Sequence, residues 1–205
     1  MALVIRPADK IKVIIIEYLL KHYPNAIVGS EVMYGTSRKV VDLLALIDGE
    51  TYAIEVKSEK DDIRLLPTQL ENYSTIFDHT IICTHPKHSS KIRSICPPGI
   101  TILEVIDDSI CIRKCSSKRN RTTKQELLFS ISASFIRKHL RYSSSLSSDQ
   151  IRAKAMRQCT KQESRDLFYS FLEEKIRDRF LLVLKERTDR ISIDDLSLLS
   201  SRILL

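Results

Sequence analysis

Residues 9–23 carry apolar positions at helical spacing, with Asp9 as a candidate cap and Pro24 as a stop, and predict a helix. Ala26–Tyr34 reads as a strand, and Gly35 opens a polar loop. Two apolar runs follow, Lys39–Ile47 and Thr51–Ser58, joined by Asp48-Gly49. That dipeptide is a strong hairpin signal, because a type I′ turn needs positive φ and glycine adopts it cheaply. Asp61–Phe77 reads as a helix interrupted or restarted at Pro67. Thr80–Thr84 is a short apolar strand, and Lys87–Ser94 a short helix. Ile100–Ile106 and Ser109–Arg113 form a second hairpin around Asp107-Asp108.

The pattern changes near residue 115. Ser116-Ser117-Lys118-Arg119-Asn120-Arg121 reads as an exposed basic linker. Helical patterns then cover Lys124–Tyr142, Asp149–Gln158, Glu163–Lys185 and, more weakly, Ile193–Leu204. Alternating helix and strand followed by helices alone predict an α/β domain at 1–115 and a basic helical domain at 122–205.

Charge sharpens that division. The 205 residues carry a formal charge of +7. Residues 1–112 hold 12 Lys and Arg against 15 Asp and Glu, whereas residues 113–205 hold 21 against 11. A near-neutral half joined to a basic half fits a site beside a docking surface for a polyanion, nucleic acid above all. The set Lys118, Arg119, Arg121, Arg152, Lys154 and Arg157 can track a phosphate backbone, or it can simply solvate helix surfaces.

The five cysteines, at 83, 96, 111, 115 and 159, match no zinc spacing and read as reduced thiols. The apolar run Val13–Ile16 is short and flanked by charge, so neither a signal peptide nor a membrane span is expected. The expected setting is cytoplasmic.

The chemistry lies in the first hairpin. Glu55 and Lys57 are two apart on a strand and point to one face, with small Ala53 beside them. Asp42 on the neighbouring strand falls close to Glu55 if Ile47 or Asp48 pairs with the start of the next strand. Charges in apolar strands are costly unless paired or bound to a metal. Two close carboxylates repel unless a divalent cation lies between them. Asp42 and Glu55, with the Val56 carbonyl as a third oxygen, make a candidate Mg²⁺ (or Mn²⁺) site. Lys57 beside it would orient a water for attack on phosphorus. Glu31, on the preceding strand, is a further ligand or an outer partner. The competing reading is a cross-strand salt bridge, worth about 0.2–1 kcal/mol.

Asp42 followed by Glu55-Val56-Lys57 resembles the core of the PD-(D/E)XK nuclease superfamily. Glu31 matches the acidic residue many members carry upstream. Gln69-Leu70-Glu71-Asn72-Tyr73 resembles the Gln-x-x-x-Tyr signature of the RecB-like and lambda-exonuclease-like branch. The resemblance extends to Holliday-junction resolvases and to small bacterial members, and it covers about residues 8–112. It departs at Val41, where many members have proline. The resemblance implies a restriction-endonuclease-like αβββαβ core with a mixed sheet, plus a C-terminal all-helical region. It implies Mg²⁺-dependent hydrolysis of DNA, in repair, restriction or defence, with Gln69 and Tyr73 assisting from one face of a helix. A homodimer would provide the two sites a double-strand cut needs. The alternative is an inactive nuclease-like protein that binds DNA or docks on a partner.

Overall fold

A computed structural model describes residues 6–35, 39–187 and 190–200. The chain runs α1 (Pro7–His22), β1 (Ile27–Tyr34), β2 (Lys39–Ile47), β3 (Glu50–Lys57), α2 (Leu66–Ile76), β4 (His79–Thr84) and α3 (Pro86–Ile95). Then come β5 (Thr101–Ile106), β6 (Ser109–Lys114), α4 (Lys124–Ser130), α5 (Ala133–Leu140), α6 (Ser148–Gln158), α7 (Lys161–Glu186) and α8 (Ile193–Leu199). The fold is mixed α/β, and its six strands form one sheet in chain order. β3 runs parallel to β4 and β4 to β5, whereas the other neighbours are antiparallel.

The hairpin that holds the candidate chemistry forms as its sequence dictates. Asp48 and Gly49 both take positive φ, at 49° and 79°, and Ile47 pairs with Glu50. The register then fixes every facing pair. Leu43 lies opposite Ile54, so the next step sets Asp42 across from Glu55. Ser30 lies opposite Leu43 and Val32 opposite Val41, which sets Glu31 across from Asp42.

The two faces of the sheet carry different helices. Ile54 lines a cavity of about 330 Å³ with Ile15 and Leu19 of α1. Its neighbour Glu55 therefore points to the other face, where Tyr73 of α2 reaches it. α7 packs on β1, and a Cβ on Gly29 would lie 2.9 Å from the Ile176 side chain. Only glycine permits that approach. α8 lies against β1, α1 and α7, and Ser200 bridges to Ser30.

Both halves of the chain contribute to a single apolar cluster, which runs from Ile11 on α1 to Leu199 on α8. Arg165 of α7 also binds Asp78 at 2.6 Å, and the Asn120 amide donates to the Phe77 carbonyl at 2.9 Å.

Two local expectations are corrected. Lys124–Tyr142 is two helices, because the Ser132 hydroxyl accepts from the Phe135 N–H and starts α5 afresh. Asp9 does not cap α1. The helix starts at Pro7, whose φ suits the first helical position, and Asp9 sits in the first turn paired with Arg6 at 2.9 Å. Of the expected final segment, Ile193–Leu204, residues 201–204 lie outside the described residues.

Candidate active site

Three carboxylates lie in one row across three strands: Glu31 on β1, Asp42 on β2 and Glu55 on β3. Glu55 is buried, 2% exposed, and both its oxygens are engaged. Lys57 Nζ donates to Oε1 at 2.7 Å, and the Tyr73 hydroxyl donates to Oε2. Tyr73 is itself buried, and burial together with the Glu55 charge holds its hydroxyl far above the ordinary phenol value. It therefore stays protonated and acts as a donor.

Asp42 is partly buried and accepts the Val56 N–H on Oδ2 at 2.9 Å. Burial and the Glu55 charge push its carboxyl up to about 6, against the pull of the Val56 N–H, Lys12 and Lys57. The Val56 carbonyl points to the same strand edge as its N–H, and so toward Asp42.

Glu31 is built differently. Its φ of 49° breaks the extended backbone of β1. Its carboxylate meets cations from α1: Lys12 Nζ lies 3.2 Å from Oε1, and an Arg6 guanidinium nitrogen 3.7 Å from the same oxygen. Lys12 escapes a reading of the sequence that takes charge as solvent-facing, yet it is only 4% exposed. The signal was available. Lys12 stands at helical spacing with Ile15, Ile16 and Leu19, on the buried stripe of α1.

Gln69 and Tyr73 share a face of α2, one turn apart. Tyr73 reaches Glu55, whereas Gln69 Oε1 is buried without a hydrogen-bond partner. Ser58, just past Lys57, donates from both N–H and hydroxyl to Asp61 and shapes the turn out of β3. His85 caps α3 by accepting the Lys87 N–H at 3.3 Å.

The donor set fits a hard divalent cation in kind. Mg²⁺ takes oxygen ligands and keeps several waters, so one or two carboxylates suffice. Asp42, Glu55 and the Val56 carbonyl supply such oxygens, and the unpartnered Gln69 oxygen marks polar demand that the protein alone leaves unmet. Glu31 does not complete a trio. Among the described residues, no three His, Cys, Asp or Glu side chains gather as a metal-holding group.

A family model described as Bacteriophage P4 protein cII matches residues 3–200. The chain belongs to this family. No curated protein matches it. Among solved structures it is similar to the SPO1766 protein of unknown function from Silicibacter pomeroyi. That similarity spans 76% of this chain and 94% of the other, at 16% identity and a TM-score of 0.47. It is also similar to the protein of unknown function AF1548, over 81% of this chain and 97% of the other, at 13% identity and a TM-score of 0.34.

In this P4 cII family chain the six basic residues fall into two groups. Lys118, Arg119 and Arg121 are exposed and line a groove of about 440 Å³ with Pro67 and Leu70 of α2. Arg119 also forms an ion pair with Glu50 of β3. On α6, Arg152 lies over the Phe129 ring at 5.7 Å and Lys154 over the Tyr142 ring at 4.4 Å, while Arg157 is exposed. Cation–ring contacts hold the first two in the helical packing. All five cysteines are unpaired. Among the described residues no helix is long and apolar enough to cross a membrane.

Proposed function

We propose that this protein is a Mg²⁺-dependent deoxyribonuclease built on a restriction-endonuclease-like core. The observation that carries the reading is the facing pair Asp42 and Glu55, with Lys57 and Tyr73 both on Glu55. The element order α1-β1-β2-β3-α2-β4 has the sequence of elements expected for such a core.

Asp42, Glu55 and the Val56 carbonyl would hold the cation. Once bound, the ion supplies charge to stabilise the phosphate oxygens and lowers the pKa of a water. The protein groups do the rest. The Tyr73 hydroxyl fixes the rotamer of Glu55. Lys57, held 2.7 Å from Glu55 Oε1, orients the attacking water beside that carboxylate. The Gln69 oxygen accepts a hydrogen bond from water or substrate on the same side of α2. Water oxygen gives up a proton as it bonds to phosphorus, one P–O ester bond breaks, and the leaving oxygen takes up a proton, so that one water is consumed. Exposed Lys118 and Arg121, on the linker beside α2, would hold the DNA backbone.

A second reading has its own observation. Each oxygen of Glu55 already has a protein partner, as expected of a carboxylate used only to fasten α2 to β3. On that reading the protein binds DNA without cutting it. Incubation of plasmid and linear DNA with Mg²⁺ separates the two. Cleavage that requires Asp42 supports the enzyme, and bound but intact DNA supports the binding protein.

A further inference from the structure

We propose that Lys12 is a positioning residue that restricts the site to a single divalent cation by holding Glu31 out of the ligand set. This inference rests on the metal-dependent reading above and specifies its stoichiometry.

The first support is geometric. The strand register sets Glu31 across from Asp42, where an extended strand would offer its carboxylate to the same site. Instead the backbone turns left-handed at Glu31, and the carboxylate is met by Lys12 Nζ at 3.2 Å. The described residues accordingly contain no trio of metal-holding side chains, although three carboxylates occupy consecutive cross-strand positions.

The second support is burial. The Lys12 side chain is 5% exposed, on the apolar stripe of α1. An ammonium there is tolerable only against a carboxylate. Glu31 therefore serves Lys12 and is withheld from a metal. Lys12 is also close enough to Asp42 to act on its charge.

The third support is charge balance. Arg6 reaches both Asp9, at 2.9 Å, and Glu31, at 3.7 Å, and its charge cancels that of Asp9, so the described cluster carries three further negative charges (Glu31, Asp42, Glu55) against two positive ones (Lys12, Lys57). One divalent ion brings the cluster to +1, which a single phosphodiester neutralises. Two ions would leave +3 in a mostly buried pocket, where like charges repel strongly. Lys12 thus occupies the place in the charge count that a second cation would need.

The test is to count Mn²⁺ bound to the full chain, by calorimetric titration and by electron paramagnetic resonance, without DNA. The wild-type protein is expected to bind one ion per chain and to give the spectrum of an isolated ion. Lys12→Met, which keeps the length of the side chain but removes its charge, is expected to bind two, with the spectrum broadened by coupling between neighbouring ions. Lys12→Met/Glu31→Gln is expected to return to one. Should Lys12→Met fail to fold, Lys12→Met/Glu31→Gln, which leaves neither buried charge unpaired, remains decisive: it is expected to keep the one ion, and losing it would make Glu31 a ligand and overturn the inference. Two ions in the wild type would overturn the role of Lys12 and leave the metal-dependent reading standing. A Lys12→Met protein that still binds one ion would do the same. No ion in the wild type would overturn both.

Discussion

Asp42 of β2 and Val56 of β3 are joined side chain to backbone, Oδ2 accepting the Val56 N–H at 2.9 Å, at the point where their strands stop exchanging ladder bonds. That single bond aims a carboxylate at Glu55 and holds it there. The cost is electrostatic, and burial with the Glu55 charge lifts the Asp42 carboxyl to about 6.

Stability should therefore fall with rising pH across that window. The folded state binds the Asp42 proton more tightly than the unfolded chain does, so the contribution is favourable in acid. It is lost as pH rises from about 4 through about 6. Asp42→Asn keeps an oxygen for the Val56 N–H and carries no charge. It should melt higher than wild type at pH 8, with a flatter profile between pH 4 and 6. A lower melting temperature at pH 8 would show that the ionised carboxylate stabilises the fold.

Glu55 and Lys57 should behave as a pair. Replacing Lys57 alone leaves a carboxylate buried with only Tyr73, which should cost about 3–5 kcal/mol. The double variant Glu55→Gln/Lys57→Met should recover most of that loss in chemical denaturation. Independent, additive losses would contradict the coupling. Under the nuclease reading both variants lose cleavage.

Tyr73→Phe should separate orientation from folding. The ring packs against Tyr34 and Phe77, and the substitution removes only the hydroxyl. Loss of that bond to a buried carboxylate should cost about 1–3 kcal/mol in stability. Turnover should drop with little change in KM. An unchanged kcat would remove Tyr73 from the site's chemistry.

The two basic groups should give different signatures. Reversing the charge of Lys118 and Arg121 should weaken DNA binding and reduce the salt slope by about 0.9 for each phosphate that the protein no longer neutralises. Arg152→Gln and Lys154→Gln should lower thermal stability instead, since both cations sit on aromatic rings. A larger change in salt slope from the α6 pair than from the linker pair would reverse the assignment.

Much of this arrangement is legible in the sequence because it is local. Asp48-Gly49 fixes the turn, the turn fixes the register, and the register sets Asp42 opposite Glu55. Alternation along β3 puts Glu55 and Lys57 on one face, where they meet. The break at Ser132 is local as well, but apolar spacing continues through it and hides the cap. What stays hidden depends on distant partners. The fit of α7 on β1 rests on the missing side chain of Gly29, which no periodicity marks. Lys12 is hidden for a different reason: a charge on a helix reads as solvent-facing until its place on the buried stripe is noticed.

The central claim is that Asp42 and Glu55 serve phosphodiester hydrolysis. The most direct measurement is cleavage of linear, circular and single-stranded DNA with Mg²⁺ or Mn²⁺, with EDTA and Asp42→Asn as controls. The account predicts cutting that stops with EDTA and disappears in Asp42→Asn, while that variant stays folded. Cutting that persists in Asp42→Asn, or folded, metal-loaded protein that leaves every substrate intact, would contradict it.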